Sequence, residues 1–167
     1  MLLAAVTAAW ADPDVTRVPA EAVAASVGSP GVSAMVWWGQ QGLGVGWGAG
    51  ALSAFAAART PIRTGWGAGV TAGLAVPVAD PGLAIETAGW IGPSLHGRHV
   101  DLGLDLVVPA AASVTDGVAR VGVRLEPRVG AHFGWLLVSL SGGGGVVVAT
   151  DSGWAMDLRA TVGIGAH

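Results

Sequence analysis

The sequence predicts an all-β protein, an eight-stranded antiparallel β-barrel with short turns, and three observations lead to this prediction. From residue 32 onward, apolar side chains alternate with glycine or polar residues, which is the period of a β-strand. Turn signals rich in glycine, proline and aspartate separate the alternating runs. Only 11% of the 167 residues are charged and 28 are glycine, a composition that is too apolar for disorder and too poor in charge to cover an ordinary soluble surface.

The residues before the alternating region divide into two parts. Residues 1–11, MLLAAVTAAWA, are apolar and end on Ala9-Trp10-Ala11, which fits the cleavage site of a signal peptide. Residues 12–31 contain Pro13, Pro19 and Pro30 and are predicted to form a leader segment, which either precedes the barrel or plugs it. Residues 32–167 are predicted to form the barrel.

The first half of the barrel region is the richest in glycine. After a turn signal at Gln40-Gln41-Gly42, one face of a long strand carries glycine and the other carries apolar residues. Its two faces are Gly42, Gly44, Gly46, Gly48 and Gly50 against Leu43, Val45, Trp47, Ala49 and Ala51. This strand is predicted to continue to the turn at Arg59-Thr60-Pro61, and further alternating strands follow over 62–76 and 83–95.

The second half carries charges on the face that glycine occupies in the first half. Leu102, Leu104 and Leu106 alternate with Asp101, Gly103 and Asp105, and Val121, Val123 and Leu125 alternate with Arg120, Gly122 and Arg124. Further strands are predicted up to residue 131, from the turn near 132–134 to residue 149, and over 154–165. Pro127 and the run Gly142–Gly145 interrupt the pattern, so the boundaries between residues 117 and 150 stay open.

Membrane-spanning helices are the main alternative to strands. Residues 32–58 carry no charge, and Gly42, Gly46 and Gly50 match the G-x-x-x-G helix-packing pattern. Gly44 and Gly48 would nevertheless point away from that helical face, whereas a strand places all five glycines on one side. The run between Pro61 and Pro77 is also shorter than the roughly 20 residues that a spanning helix requires.

The composition of the two strand faces predicts which of them points into the barrel and which points out of it. A soluble barrel would need charged residues such as lysine outside, yet the chain has no lysine and its polar face is mostly glycine. Glycine suits the narrow interior of an eight-stranded barrel, which is just wide enough for side chains. The apolar face is then predicted to meet lipid, and tryptophan is typical of the interfacial zone.

The charges on the polar face are predicted to form a network in the lumen. This face carries five arginines and five carboxylates, and buried charges must be paired in this way. Arginine can bind a carboxylate with two parallel hydrogen bonds. The predicted members of this lumen charge network are Arg63, Glu86, Asp101, Asp105, Arg120, Arg124, Glu126, Arg128, Asp157 and Arg159.

These features together resemble the small bacterial outer-membrane β-barrel proteins, of the kind of the OmpA transmembrane domain and OmpX. The resemblance covers residues 32–167 and includes the last strand, WAMDLRATVGIGAH. It implies a transmembrane β-barrel in the bacterial outer membrane, in contact with its lipid and inserted by the barrel-assembly machinery. The chain departs from these proteins in ending on Ala166-His167, where they typically end on an aromatic residue.

The predicted function is a structural or otherwise uncharacterised role in the cell envelope, by a monomer with a plugged, charge-paired lumen. One alternative is a lipid-modifying hydrolase at the barrel rim, built on Ser94, His96, His99 and Asp101; another is a soluble lipocalin-like barrel that binds an apolar ligand. No cofactor is predicted, and the spacing of the four histidines does not resemble a metal site. The absence of a basic patch argues against nucleic-acid binding.

Overall fold

The computed structural model describes residues 30–48, 50–78, 82–115, 117–150 and 153–166, which form nine β-strands. They are β1 (Gly31–Trp38), β2 (Gln41–Gly48), β3 (Ala51–Arg59), β4 (Gly65–Pro77), β5 (Ala84–His96), β6 (Val100–Ser113), β7 (Ala119–Phe133), β8 (Leu136–Ala149) and β9 (Gly153–Ala166). The predicted signal peptide, residues 12–29 of the predicted leader segment, and His167 lie outside the described residues. Among the residues described, no helix has the length and apolarity needed to cross a membrane.

The strands form one closed barrel in chain order, which confirms the all-β barrel prediction. Each consecutive pair is antiparallel, but β1 and β9 close the barrel as a parallel pair, with Gly31 opposite Arg159 and Trp38 opposite Ala166. An odd number of strands that alternate in direction makes the first and last strands run the same way. We call the end of the barrel with the β1–β2, β3–β4, β5–β6 and β7–β8 connections the upper rim, and the opposite end, which includes residue 30, the lower rim.

The predicted count of eight strands is wrong, because the long strand expected from residue 42 is a hairpin of β2 and β3. Gly48 pairs with Ala51, and Gly50 between them adopts a φ of 78°, which glycine accommodates without strain. The alternation changes phase here: Ala51 faces inward at 0% exposure and Leu52 faces outward at 57%. Residues 48–51 are Gly-Ala-Gly-Ala. Because all four are small, the sequence shows no contrast between the two faces here, and the change of phase cannot be recognised from it.

The predicted outward apolar face is present along the strands, and the predicted inward polar or glycine face is clearest on β6 and β2. On β6 the inward positions include Asp101 and Asp105, both buried, while Leu102, Leu104 and Leu106 are exposed on the outside. The glycines of β2 face inward in the same way.

The run Gly142–Gly145 lies within β8 and does not interrupt it. A Cβ atom added at Gly143 would lie 1.7 Å from the backbone oxygen of Leu125, and one at Gly145 would lie 1.9 Å from that of Val123. The backbone of β7 therefore passes so close to β8 that only glycine fits at these two inward positions. Close backbone approach is a recognised role of glycine within strands.

Candidate functional site

Nine of the ten residues predicted for the lumen charge network occupy inward positions of the strands. They are Glu86 on β5, Asp101 and Asp105 on β6, Arg120, Arg124, Glu126 and Arg128 on β7, and Asp157 and Arg159 on β9. Arg63 is the exception and the prediction for it was wrong: it is exposed in the connection between β3 and β4. β3 ends at the predicted turn, but β4 begins only at Gly65 and not at residue 62, so Arg63 lies outside both strands.

Arg124 is the centre of the network. Its guanidinium pairs with Glu126 at 2.5 Å and with Asp157, and it is 6% exposed while Asp157 is 0% exposed. Gly145 on β8 lies between the two strands, opposite Arg124 on one side and opposite Asp157 on the other. Because Gly145 has no side chain, Arg124 on β7 can cross β8 to reach Asp157 on β9.

A second ion pair joins β6 and β7. The strand register places Asp105 directly opposite Glu126, an arrangement of like charges that would be unfavourable alone. Arg128 relieves it by pairing with Asp105, its Nε lying 3.0 Å from Oδ2, while Glu126 pairs with Arg124. Gly103, opposite Arg128 on β6, leaves room for the guanidinium, which a Cβ atom there would approach to 2.7 Å.

Arg159 connects the network to the parallel seam of the barrel. Its Nη1 donates a hydrogen bond to Ser33 Oγ on β1 at 3.1 Å, across the closure of β1 and β9. Glu86 on β5 interacts electrostatically with Arg159 from the other side of the lumen. The polar interactions of the network therefore extend from Glu86 on β5 to Arg159 on β9 and from there to Ser33 on β1.

The remaining side of the lumen is apolar. Met35, Trp37 and Ala57 form a buried cluster against which Phe55 and Trp90 pack. The rings of Trp37 and Trp90 meet edge to face, with centroids 6.4 Å apart. A cavity of about 180 Å³ lies between this aromatic cluster and the ion pairs and is lined by both.

Arg59 covers the aromatic cluster at the upper rim, although the sequence predicted that this residue lies in a turn. Its guanidinium lies 4.0 Å above the ring of Trp37 and donates hydrogen bonds to the backbone oxygen of Gly39. Arg59 is the last residue of β3 and inward in phase with Phe55 and Ala57. The phase change at the β2–β3 hairpin, which the sequence conceals, is what places it there.

The upper rim also holds a cluster of three residues that the histidine spacing did not predict. Asp101 accepts a hydrogen bond from each of two imidazoles: His96 Nδ1 lies 2.5 Å from Oδ1, and His132 Nε2 lies 2.5 Å from Oδ2. We call His96, Asp101 and His132 the rim cluster. Its members come from three consecutive strands, so their sequence separations carry no motif, and only the strand register brings them together.

The rim cluster contains the His–Asp pair of a hydrolytic triad, but Ser94 does not complete it. The Ser94 hydroxyl donates to the backbone oxygen of Arg63 at 2.7 Å. A serine nucleophile must instead be hydrogen-bonded to its base. In this arrangement the Ser94 hydroxyl therefore secures the connection between β3 and β4.

The tryptophans on the outside of the barrel lie at its two ends. Trp38, Trp66 and Trp135 are at the upper rim, and Trp47 and Trp154 are at the lower rim. The outer surface between them carries aliphatic side chains on every strand, such as Val70 on β4 and Leu140 on β8. Trp37 and Trp90, the other two tryptophans among the described residues, face the lumen.

Comparisons with known proteins found no relative of this chain: no family model, no curated protein and no solved structure matches it.

Proposed function

We propose that the protein is a β-barrel of the bacterial outer membrane whose lumen is closed by side chains and which has a structural role in the cell envelope. The observation that carries this proposal is the inverted distribution of polarity. Aliphatic side chains cover the outside, tryptophans border them at both rims, and the buried charges are inside. Lipid is the solvent that suits such an outer face.

The same distribution argues against a soluble barrel that carries an apolar ligand. Such a carrier would need apolar side chains around its cavity and polar side chains outside. Here Arg124, Glu126 and Asp105 line one side of the cavity, opposite the aromatic cluster, and more than thirty large apolar side chains are exposed on the outside. A soluble monomer rarely exposes an apolar patch of more than a few hundred Å².

Seven of the nine strands reach the length that a bilayer requires, and β1 and β2 fall about one residue short of it. A tilted transmembrane strand needs about 9–11 residues. Strands β4 to β9 have 13 to 15 residues each, and the three shorter strands β1 to β3 have 8 or 9. The tryptophans at the two rims would then lie at the two lipid–water interfaces, where their amphipathic rings are favoured.

A closed lumen follows from the width of the barrel and from what fills it. A barrel of about eight strands has an interior just wide enough for side chains. The ion pairs of Arg124 and Arg128 occupy one side of this interior and the cluster around Trp37 and Trp90 occupies the other, so that only the cavity of about 180 Å³ remains between them. We therefore propose a membrane scaffold and not a diffusion pore.

The full-length protein, refolded and inserted into planar lipid bilayers, is expected to give no stable open-channel conductance. A general porin inserted under the same conditions serves as the positive control for the measurement. Reproducible channels at the conductance of the porin would contradict a closed lumen. Recovery of the protein in the soluble fraction of cells, without detergent, would contradict the membrane location.

A further inference from the structure

The three side chains of the rim cluster bring their donor atoms close together. The two imidazole nitrogens and the carboxylate oxygen of His96, Asp101 and His132 all lie within 4.8 Å of one another. The two imidazoles meet edge to face, with ring centroids 5.2 Å apart, so both rings direct a nitrogen at the same carboxylate. Three donor atoms from three strands therefore converge on one small volume.

Backbone contacts hold the three residues in place. His96 is opposite Asp101 in the β5–β6 register, and its backbone nitrogen and oxygen both bond to the hydroxyl of Thr64, at 3.0 and 3.3 Å. The backbone nitrogen of His132 donates to the backbone oxygen of His99 at 2.9 Å, which fastens the end of β7 to the β5–β6 connection. The side chains thus extend from a backbone that is fixed on both sides of the cluster.

The donor set is that of a transition-metal site. Neutral imidazole nitrogens and a carboxylate oxygen bind Zn²⁺ at about 2.0–2.2 Å, and three protein ligands leave positions open for water. To bind a metal ion, each neutral ring would carry its proton on the other nitrogen, so that His96 Nδ1 and His132 Nε2 each present a lone pair in place of the hydrogen bond to Asp101. For tetrahedral ligands at those bond lengths, the nitrogen–oxygen separations would have to open from 2.5 Å to about 3.3–3.4 Å, a change that rotation of the side chains would have to supply.

The cluster also has a way in for an ion. Asp101 is buried and His132 is partly buried, with side chains 2% and 6% exposed, while the side chain of His96 is 38% exposed at the rim. Buried ligands are shielded from competing water, and an exposed third ligand gives the ion access. Because the chain contains no cysteine, no thiolate competes for the metal.

We propose that His96, Asp101 and His132 form a binding site for a divalent transition-metal ion at the upper rim. The site uses side chains that the closed-lumen proposal does not depend on, so either proposal can fail without the other. Zn²⁺ and Co²⁺ are the probes that fit this donor set.

The test is a titration of the full-length protein, refolded in metal-free detergent, with Zn²⁺ by calorimetry and with Co²⁺ by visible absorption. Wild-type protein is expected to bind one ion, and the bound Co²⁺ to show the visible absorption bands of a low-coordinate nitrogen–oxygen site. The variants Asp101→Asn and His132→Ala are expected to weaken binding by at least about tenfold, as loss of even an outer-shell partner commonly does. His99→Ala is the matched control, since it removes an imidazole from the same connection and keeps the backbone oxygen that binds His132; it is expected to bind within twofold of wild type.

A fourth variant keeps the test decisive if the buried substitutions prevent folding. His96→Ala changes an exposed side chain, so it should fold with a wild-type circular dichroism spectrum and still lose at least about tenfold in affinity. The proposal is overturned if wild-type protein binds no Zn²⁺ at millimolar concentration. It is equally overturned if folded His96→Ala binds like wild type, or if His99→Ala loses binding as fully as the cluster variants.

Discussion

Replacing Arg124 with alanine is expected to lower the free energy of unfolding by about 3–5 kcal/mol, the loss typical when one partner of a buried ion pair is removed. Arg124 pairs with both Glu126 and Asp157, and Asp157 has no exposure at all. The substitution would remove the guanidinium that pairs with both of these lumen carboxylates. Urea unfolding of the protein in lipid vesicles, followed by tryptophan fluorescence, measures the change.

The matched control for this prediction is Arg63→Ala. Arg63 is the arginine of the predicted network that the structure places in an exposed connection. Its replacement is expected to change the free energy of unfolding by less than about 0.5 kcal/mol, as exposed substitutions usually do. Adding Asp157→Asn to Arg124→Ala should recover part of the lost stability, because it removes the charge of a buried carboxylate that has lost its ion pair with Arg124. Equal unfolding midpoints for Arg124→Ala and Arg63→Ala would contradict a stabilising network in the lumen.

The second large effect is expected from a single methyl group on β8. Gly143→Ala places a Cβ atom 1.7 Å from the backbone oxygen of Leu125. Because the obstacle is backbone and not a flexible side chain, β7 and β8 must move apart. We expect a loss of about 1–3 kcal/mol or more, the usual cost of overpacking, measured by the same urea unfolding.

Gly89→Ala provides the opposite result in the same barrel. Gly89 faces outward on β5, and a Cβ atom there would meet nothing within 4 Å. Removing glycine where alanine fits without strain restricts the unfolded chain, so this variant should be neutral or more stable by up to about 1 kcal/mol. If the two alanine variants had the same stability, the close approach of β7 to β8 would not be a feature of the folded protein.

The strand faces were the part of the fold that could be predicted from sequence. Alternation in a strand is local, and on β6 the contrast between leucine and aspartate is strong enough to assign both faces. The same reasoning failed at residues 48–51, where four small residues carry no such contrast and hide a hairpin. That one missed turn changed the strand count from eight to nine and moved Arg59 from a turn into the lumen.

Contacts across strands were the part that sequence reasoning could not supply. The alternation of charged and apolar residues identified Arg124 and Asp157 as inward residues, but their pairing depends on Gly145 of the intervening strand. The rim cluster depends in the same way on the register of β5, β6 and β7. Spacing along the chain can reveal metal ligands that lie on one helix or one hairpin. Here the three side chains of the rim cluster are instead distributed over three strands.

Labelling of single cysteines is the most direct test of a nine-stranded barrel that spans the outer membrane. The chain has no cysteine of its own, so each introduced thiol reports on one position. Pro30, Arg98 and Thr115 are exposed and lie outside the strands, with Pro30 and Thr115 at the lower rim and Arg98 at the upper rim. The probe is a maleimide too large to cross the outer membrane, applied to intact and to permeabilised cells.

With nine strands across the membrane, Pro30→Cys and Thr115→Cys should react alike in intact cells, and Arg98→Cys should show the opposite accessibility. With eight strands, Pro30→Cys would instead react like Arg98→Cys, because the hairpin of β2 and β3 would be absent. Identical reactivity of all three positions in intact cells would contradict a barrel that spans the membrane.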